Sequence, residues 1–253
     1  MKRKRIRSNN SGQALIVTSL IISMLLLSTA YYVFEIEENV TDNSGSIDYA
    51  FLATRLSTVN TVISSLANVS NGGYRSVLMA SLDRLVSVLE SHSYDGQCHL
   101  LFTPLNSSPY QDGIETSWES NGLGISSAYV SFSLNVSGLS VSYYSGYAVN
   151  VTTALTIEGS GTSSGSETRV NIMCRVYDEQ GFALAKDITL LYQNQTDGTW
   201  ITVSPLNNNV IDYGNGTYFM SFNVYTQNVL NVSAQVHDSR DIFIMANTTC
   251  NIV

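Results

Sequence analysis

Basic side chains are scarce beyond the first few residues of this chain, and that scarcity excludes two classes of partner. After Arg7 the sequence contains 7 Lys and Arg residues against 20 Asp and Glu residues. Nucleic-acid binding needs a basic patch or stripe, and electrostatic docking on anionic lipid needs a cluster of Lys and Arg. We therefore expect residues 8–253 to bind no nucleic acid and not to dock on charged headgroups.

Motifs of catalysis and metal binding are also missing. His92, His99 and His237 lie in separate segments, and none has a second His at metal-ligand spacing. No nucleophile-elbow serine, P-loop or dinucleotide-binding glycine pattern occurs. Two groups of carboxylates could hold a cation, but they lack EF-hand spacing and turn capping explains them as simply: Asp112, Glu115 and Glu119, and Asp212, Asp238 and Asp241. We expect a non-enzymatic protein with no catalytic residue, metal site or cofactor.

Cysteines are few and odd in number. Cys98, Cys174 and Cys250 cannot all pair within one chain. Cys174 and Cys250 fall in the first and last predicted strands of the C-terminal segment, so one disulfide between them is plausible, with Cys98 free or intermolecular. The alternative is that all three are small buried apolar residues.

What the chain does contain begins with five cationic residues in the first seven, followed by an apolar stretch. Ala14 to Phe34 is 21 residues without a charged side chain, and about 20 are needed to cross a bilayer as a helix. The stretch is longer than a signal-peptide core and has no small-residue cleavage site after it. Because basic residues stay on the cytoplasmic side, we predict a cytoplasmic segment at 1–13, a transmembrane helix in the cell membrane at 14–34 that makes the lipid bilayer a partner, a juxtamembrane hinge at 35–46 and an extracellular remainder.

The same region resembles the class III signal peptides of archaeal type IV pilin-like proteins. Basic residues precede Gly12-Gln13-Ala14-Leu15-Ile16, and an apolar helix follows. The resemblance implies cleavage between Gly12 and Gln13 and packing of the freed helix in a filament core.

Asn-x-Ser/Thr sequons occur nine times beyond the apolar stretch. They indicate surface glycosylation in an exported protein, and the alternative is that a chain rich in Ser, Thr and Asn forms sequons by accident. Their asparagines are Asn39, Asn68, Asn106, Asn135, Asn150, Asn194, Asn215, Asn231 and Asn247.

Periodicity divides the rest of the chain into helical and strand segments. Apolar residues from Leu52 to Leu66 and from Leu78 to Leu89 recur at helical spacing around Asn71-Gly72-Gly73, which predicts an amphipathic helical hairpin at 47–92. From Cys98 onward the period is two. We predict a β-rich domain at 97–158, a flexible linker at 159–167 and a β-sandwich at 168–253.

The last segment resembles filamin-type and bacterial immunoglobulin-like repeats. The motif Asp212-Tyr213-Gly214-Asn215-Gly216-Thr217-Tyr218 matches their D-x-G-[DN]-G-T-Y turn, and the run from Arg175 to Ala185 resembles their matching strand and turn. The resemblance implies a tyrosine corner involving Asp212 and Tyr218. The predicted fold class is therefore α+β: an N-terminal transmembrane helix, a helical hairpin, and a β-rich region ending in an immunoglobulin-like β-sandwich.

Three functions are consistent with these features. The first is a membrane-anchored cell-surface protein with a structural or adhesive ectodomain that contacts other copies or surface proteins through exposed aromatic residues such as Trp118, Tyr143 and Tyr144. The second is a processed pilin-like subunit, minor or at the tip, which assembles through its N-terminal helix. The third, an enzyme or solute receptor, is disfavoured because its motifs are missing.

Overall fold

The computed structural model of the chain describes residues 49, 51–91, 96–118, 121–138, 142–204, 209–225 and 229–252. The chain divides into two compact units, Met1–Leu52 and Ala53–Val253. Almost all of the described residues belong to the second unit.

Two helices come first among the described residues. Helix α1 covers residues 51–70 and helix α2 covers Ser76–Ser91. Helix α1 is followed by Gly72, whose φ of 94° is a left-handed conformation. Few residues other than glycine adopt this conformation without strain. The Thr58 hydroxyl of α1 lies 3.1 Å from the Tyr147 hydroxyl, and Arg75, in the turn just before α2, donates to the carbonyl oxygen of Ile114 at 2.9 Å.

Twelve strands make up most of the remaining structure. They are β1 Gly96–Pro104, β2 Ile114–Trp118, β3 Leu123–Gly138, β4 Ser142–Ser164, β5 Glu167–Asp178, β6 Gly181–Phe182, β7 Ala185–Gln193, β8 Trp200–Thr202, β9 Asn209–Asp212, β10 Thr217–Val224, β11 Leu230–Asp238 and β12 Phe243–Ile252.

The strands join in one sheet with the order β8-β7-β11-β12-β4-β5-β10-β9. Strands β1 and β2 pair with successive parts of β3, which pairs with β4 along nearly its whole length. Every pairing is antiparallel except that of β12 with β4, which consists of Asn251 opposite Ser160 and Ile252 opposite Gly161. This short parallel contact joins the two four-stranded halves of the path.

Both halves contribute to one apolar core. Val170, Ile172 and Val176 of β5 pack in the same cluster as Val232 and Val236 of β11. Apolar residues alternate with more exposed ones along β5, as expected for a strand with one buried face. The two halves of the sheet therefore bury a shared core and leave their other faces outward.

The predicted α+β fold class is wrong. More than half of the described residues are strand, because β3 and β4 are 16 and 23 residues long and carry the other strands. Helix α1 bonds to β4 through Thr58, and α2 contacts β1, in place of the separate helical hairpin that periodicity predicted.

The predicted membrane anchor is corrected as well. Within the described ranges, no helix has the length and apolar character needed to cross a bilayer. The segments at 1–13, 14–34 and 35–46, and the processing site Gly12-Gln13, lie outside the described residues. The structure therefore gives no support to the predicted single-pass cell-membrane localisation or to the pilin-like assignment.

The stretch predicted to be a linker is part of the sheet. Gly159 and Gly161 lie in β4, and Gly165 and Ser166 form the turn to β5. A Cβ atom on Gly159 would lie 2.2 Å from Cys250 Sγ, and one on Gly161 would lie 2.9 Å from Ile252 Cγ1. Glycine is needed here because β12 packs closely against β4, so its presence reflects packing and not flexibility.

Candidate binding surface and polar clusters

The strands at the two ends of the sheet, β8 and β9, are exposed along their whole length. Strand β8 presents Trp200 and Ile201 to solvent, and β9 presents Val210 and Ile211. Edge strands usually carry charges, proline or bulges that prevent pairing with another chain. These two carry exposed apolar side chains at their middle positions, and their one charged residue is Asp212 at the end of β9.

The outward face of β7, β8, β11 and β12 carries Asp187 and His237, which bond to each other at one end of it. The area beyond this pair has no ionisable side chain, and we call it the uncharged face. Its residues alternate with core residues such as Leu190, Val232 and Ala246 and so point away from the core. They are Thr189, Leu191, Gln193, Trp200, Thr202, Asn231, Ser233, Gln235, Met245, Asn247 and Thr249.

One row of the uncharged face is a hydrogen-bonded ladder across three strands. Thr249 Oγ1 donates to Asn231 Oδ1 at 2.9 Å, and Asn231 Nδ2 donates to Gln193 Oε1 at 2.9 Å. Gln193 Nε2 in turn donates to the carbonyl oxygen of Gly198 at 3.1 Å. Trp200 lies opposite Gln193 and ends the row with 44% of its surface exposed. The ladder holds its amides in fixed orientations.

The adjacent row contains two buried polar atoms. Ser233 lies opposite Asn247, and Ser233 Oγ and Asn247 Oδ1 form no hydrogen bond within the described part of the chain. Such atoms cost free energy when they are left unpaired. Among the described residues they are therefore an unsatisfied polar pair in the middle of this face.

A dense ionic cluster lies at the turn between β11 and β12. Arg240 Nε donates to Asp238 Oδ2 at 2.8 Å, and its NH1 group donates to both carboxylate oxygens of Glu179. Thr153 Oγ1 also donates to Asp238 Oδ2, at 2.8 Å. Burial by itself would lower the pKa of Arg240, but Asp238 and Glu179 outweigh it and the pKa is raised. The cluster joins this turn to β4 and to the turn after β5.

His237 connects three elements beside that cluster. Its Nδ1 lies 2.8 Å from Asp187 Oδ1, and its Nε2 lies 3.0 Å from Asn71 Oδ1. Asn71 Nδ2 donates to the carbonyl oxygens of Ala67 and Asp241. Both ring nitrogens therefore face oxygen atoms, and the contacts join the end of α1 to β7 and β11.

Of the six carboxylates considered as cation ligands, Asp212, Asp238 and Asp241 are engaged within the protein, Glu115 is buried, and Glu119 lies outside the described residues. Asp238 pairs with Arg240, Asp241 pairs with Lys186, and Asp212 Oδ1 accepts a hydrogen bond from the Gly214 amide at 2.7 Å. No group of three His, Cys, Asp or Glu residues comes together as a ligand set among the residues with a described position.

The two residues of the predicted tyrosine corner bond to different partners: Asp212 to the Gly214 amide, as above, and Tyr218 to Ala185. The Tyr218 hydroxyl accepts a hydrogen bond from the backbone N–H of Ala185 at 2.9 Å, which joins the start of β10 to the start of β7. Gly216 has a φ of 78°, and a Cβ there would lie 2.5 Å from the carbonyl oxygen of Ala183. The glycine of this turn is thus required by both conformation and space.

The three cysteines are free thiols in this structure. Cys174 and Cys250 are buried in the same core, and no disulfide joins them. Burial raises the pKa of Cys174 to about 12 and that of Cys250 to about 11. Cys98 is half-buried, and burial, partly offset by a hydrogen bond from Thr54, raises its pKa too.

The sequon asparagines differ in accessibility. Asn68, Asn106, Asn135, Asn150, Asn215 and Asn231 are exposed, whereas Asn194 and Asn247 are half-buried. Asn39 lies outside the described residues. Asn247 Oδ1 is buried, so this sequon is the least accessible of those with a described side chain.

The exposed aromatic residues differ in part from those expected to make contacts. Tyr143 and Tyr144 are exposed, but Trp118 is half-buried, with its ring edge-to-face with Phe243 and its Nε1 donating to Ser126 Oγ. Trp200 is the exposed tryptophan. Sequence reasoning missed it because a three-residue strand shows too little periodicity to indicate which side faces solvent.

The chain matches no protein-family model and no curated protein sequence. A proposal about its function therefore rests on its own surface.

Proposed function

We propose that the protein is a non-catalytic structural or adhesive module that contacts other copies of itself through the exposed edges of its sheet. The observation that carries this proposal is the exposure of apolar side chains in both edge strands, Trp200 and Ile201 in β8 and Val210 and Ile211 in β9. In β9 these two residues lie between Asn209 and Asp212, and they occupy the middle of an edge, where soluble proteins commonly place a charge. An edge with this composition can add a strand from another chain.

The backbone supplies the second part of the argument. Strand β9 pairs along one side only, with β10, from Asn209 opposite Ser221 to Asp212 opposite Tyr218. A strand at the end of a sheet has backbone N–H and C=O groups on its other side that remain available for pairing. Apolar side chains would add contact area to those hydrogen bonds.

The order of the strands supports a relation to immunoglobulin-like sandwiches. Those domains pair strands A, B, E and D in one sheet and C, F and G in the other, with C′ beside C in some members. Let β4 be strand A and β5 be strand B. Apart from the two-residue β6, the next six strands in chain order, β7, β8, β9, β10, β11 and β12, then correspond to C, C′, D, E, F and G. The order β9-β10-β5-β4 and β8-β7-β11-β12 then agrees with that arrangement. The fold alone does not specify a ligand or a reaction. A role in protein contacts is compatible with it.

A lysine at the edge tests the proposal. Beads coated with the full chain should cluster, and the Ile211→Lys variant should cluster far less, because the new charge must be desolvated when a second strand pairs there. Sedimentation velocity over a range of concentrations should show the same loss of association in solution.

The matched control is Leu184→Lys. Leu184 is also an exposed aliphatic residue, at 54% against 42% for Ile211, but it lies between β6 and β7 and not at a sheet edge. It should cluster as the unmodified chain does. A wild-type chain that neither clusters nor associates, or an equal effect of both lysines, would refute the proposal.

A further inference from the structure

We propose that the uncharged face binds a neutral saccharide chain, with Trp200 stacking on a sugar ring and the Gln193–Asn231–Thr249 ladder hydrogen-bonding its hydroxyl groups. The inference goes beyond the proposed contact between copies and adds a second ligand. It concerns the outward face beside β8, so the Ile211 test of the β9 edge is independent of it.

Charge is the first argument. The chain has a net charge of −8, yet the eleven residues of the uncharged face include no Asp, Glu, Lys or Arg. The ionisable groups of the same outward face, Asp187 and His237, bond to each other. An ionic partner would therefore find no counter-charge among the eleven residues and would lose hydration on binding. A neutral polyhydroxylated ligand has no such penalty, because it needs only hydrogen-bonding groups and apolar contact.

The ladder supplies the hydrogen-bonding groups. An amide presents both donors and acceptors, and a threonine hydroxyl presents one donor and two acceptor positions. Within the ladder, Asn231 uses one donor to Gln193 and accepts from Thr249, which leaves its second N–H and the Thr249 lone pairs as further capacity. Because neighbouring bonds already fix these groups, less conformational entropy is lost when a ligand binds.

Trp200 supplies the apolar contact. Its indole is large, flat and 44% exposed, at the end of the same row of residues. The indole combines a large apolar face with an N–H donor, which suits a sugar ring whose C–H groups form one face and whose hydroxyls form the rim. An aliphatic residue at this position would provide neither.

A peptide partner fits this face less well. A peptide strand adds at a sheet edge through backbone hydrogen bonds, whereas the ladder lies on the outward face of β7, β11 and β12, where the backbone groups already pair within the sheet. The ligand must therefore bond to side chains.

Titration of the full chain with neutral hexasaccharides tests the inference. The protein is produced in a host that adds no N-glycan, and the probes are cellohexaose, laminarihexaose, mannohexaose and, as an anionic comparison, hexagalacturonate. At least one neutral hexaose should bind with a Kd below about 1 mM and change the tryptophan emission. Calorimetry should show that Trp200→Ala weakens this binding roughly tenfold or more.

Two further variants separate binding from folding. Thr249→Val keeps the shape of an exposed strand residue and removes the hydroxyl of the ladder, so it should also weaken binding. Tyr144→Ala removes an aromatic side chain that is 72% exposed on a different part of the sheet, and it should bind the hexaose unchanged.

The inference fails if no neutral hexaose binds, if Trp200→Ala and Thr249→Val bind as the unmodified chain does, or if hexagalacturonate is the preferred ligand. It also fails if mass spectrometry of the protein from its native cells shows a glycan on Asn231, which would occupy the face. Loss of hexaose binding with the Ile211-dependent clustering intact would remove this inference alone. Loss of both would remove the proposed function too.

Discussion

At the scale of single residues, the three cysteines differ in burial. Burial disfavours the thiolate, which is the reactive form, and so raises a cysteine pKa. Cys174 and Cys250 are buried in the core, while Cys98 is half-buried on β1.

Alkylation should follow this difference. In the native protein, iodoacetamide at pH 8 should modify Cys98 slowly and leave Cys174 and Cys250 unmodified, whose pKa values near 12 and 11 keep the thiols protonated. All three should react after unfolding in denaturant, as peptide mass spectrometry would report. A disulfide between Cys174 and Cys250, or rapid labelling of either in the native state, would contradict the structure.

The ion pair of Lys186 and Asp241 gives a residue-scale prediction for pH. The hydrogen bond and charge of Lys186 lower the pKa of the Asp241 carboxyl, and the carboxylate raises the pKa of Lys186. A carboxyl whose pKa falls on folding stabilises the native state above its unfolded pKa, about 3.9. That contribution is lost as the pH falls through the folded value.

Carboxyl NMR titration checks this pair. In Lys186→Met the Asp241 midpoint should rise toward its ordinary value. Asp197 provides the internal control, because the Thr199 amide and hydroxyl lower its pKa without any contribution from Lys186. An Asp241 midpoint that is the same in both proteins would show that the pair does not form in solution.

At the scale of elements, the turn between β11 and β12 depends on its ionic cluster. The Asp238 side chain is 2% exposed and bonds to the Arg240 guanidinium, which also holds Glu179. Removing one partner leaves a buried carboxylate without its counter-charge, which is strongly destabilising.

Arg240→Met should therefore lower the free energy of unfolding by about 3 kcal/mol. Arg175→Met is the matched control, because Arg175 pairs with the largely exposed Glu158 at a similar distance, 3.0 Å, and its loss should cost less than about 1 kcal/mol. Urea denaturation measures both. Equal losses for the two variants would mean that the cluster contributes no more than a surface pair.

The elements also show what could be predicted from sequence. Alternation along Val170, Ile172, Cys174 and Val176 indicated a strand with one buried face, and these residues are buried in β5. At Gly159 and Gly161, composition predicted a flexible linker where the structure has a strand. A glycine in a flexible linker and a glycine required by a close neighbour are identical in a sequence. The close approach of Cys250 and Ile252 in the structure shows that these two glycines are of the second kind.

At the scale of the whole molecule, long-range pairing could not be predicted. Period-two segments identify strands but not their partners, so nothing local indicated that β4 would pair with β3, β5 and β12 and connect what looked like two domains. The uncharged face has the same origin. Gln193, Asn231 and Thr249 are far apart in the chain, and the register of three strands brings them into one row.

Amide hydrogen exchange on the full chain, dilute and then under conditions in which it clusters, tests the central claim most directly. If the protein acts through its sheet edges, the amides within Asn209–Asp212 and Trp200–Thr202 that point away from β10 and β7 should exchange quickly when dilute and slow markedly on clustering, because a second chain then pairs with them. The core strands should change little. Clustering that leaves both edge strands unprotected, with protection elsewhere, would contradict the account.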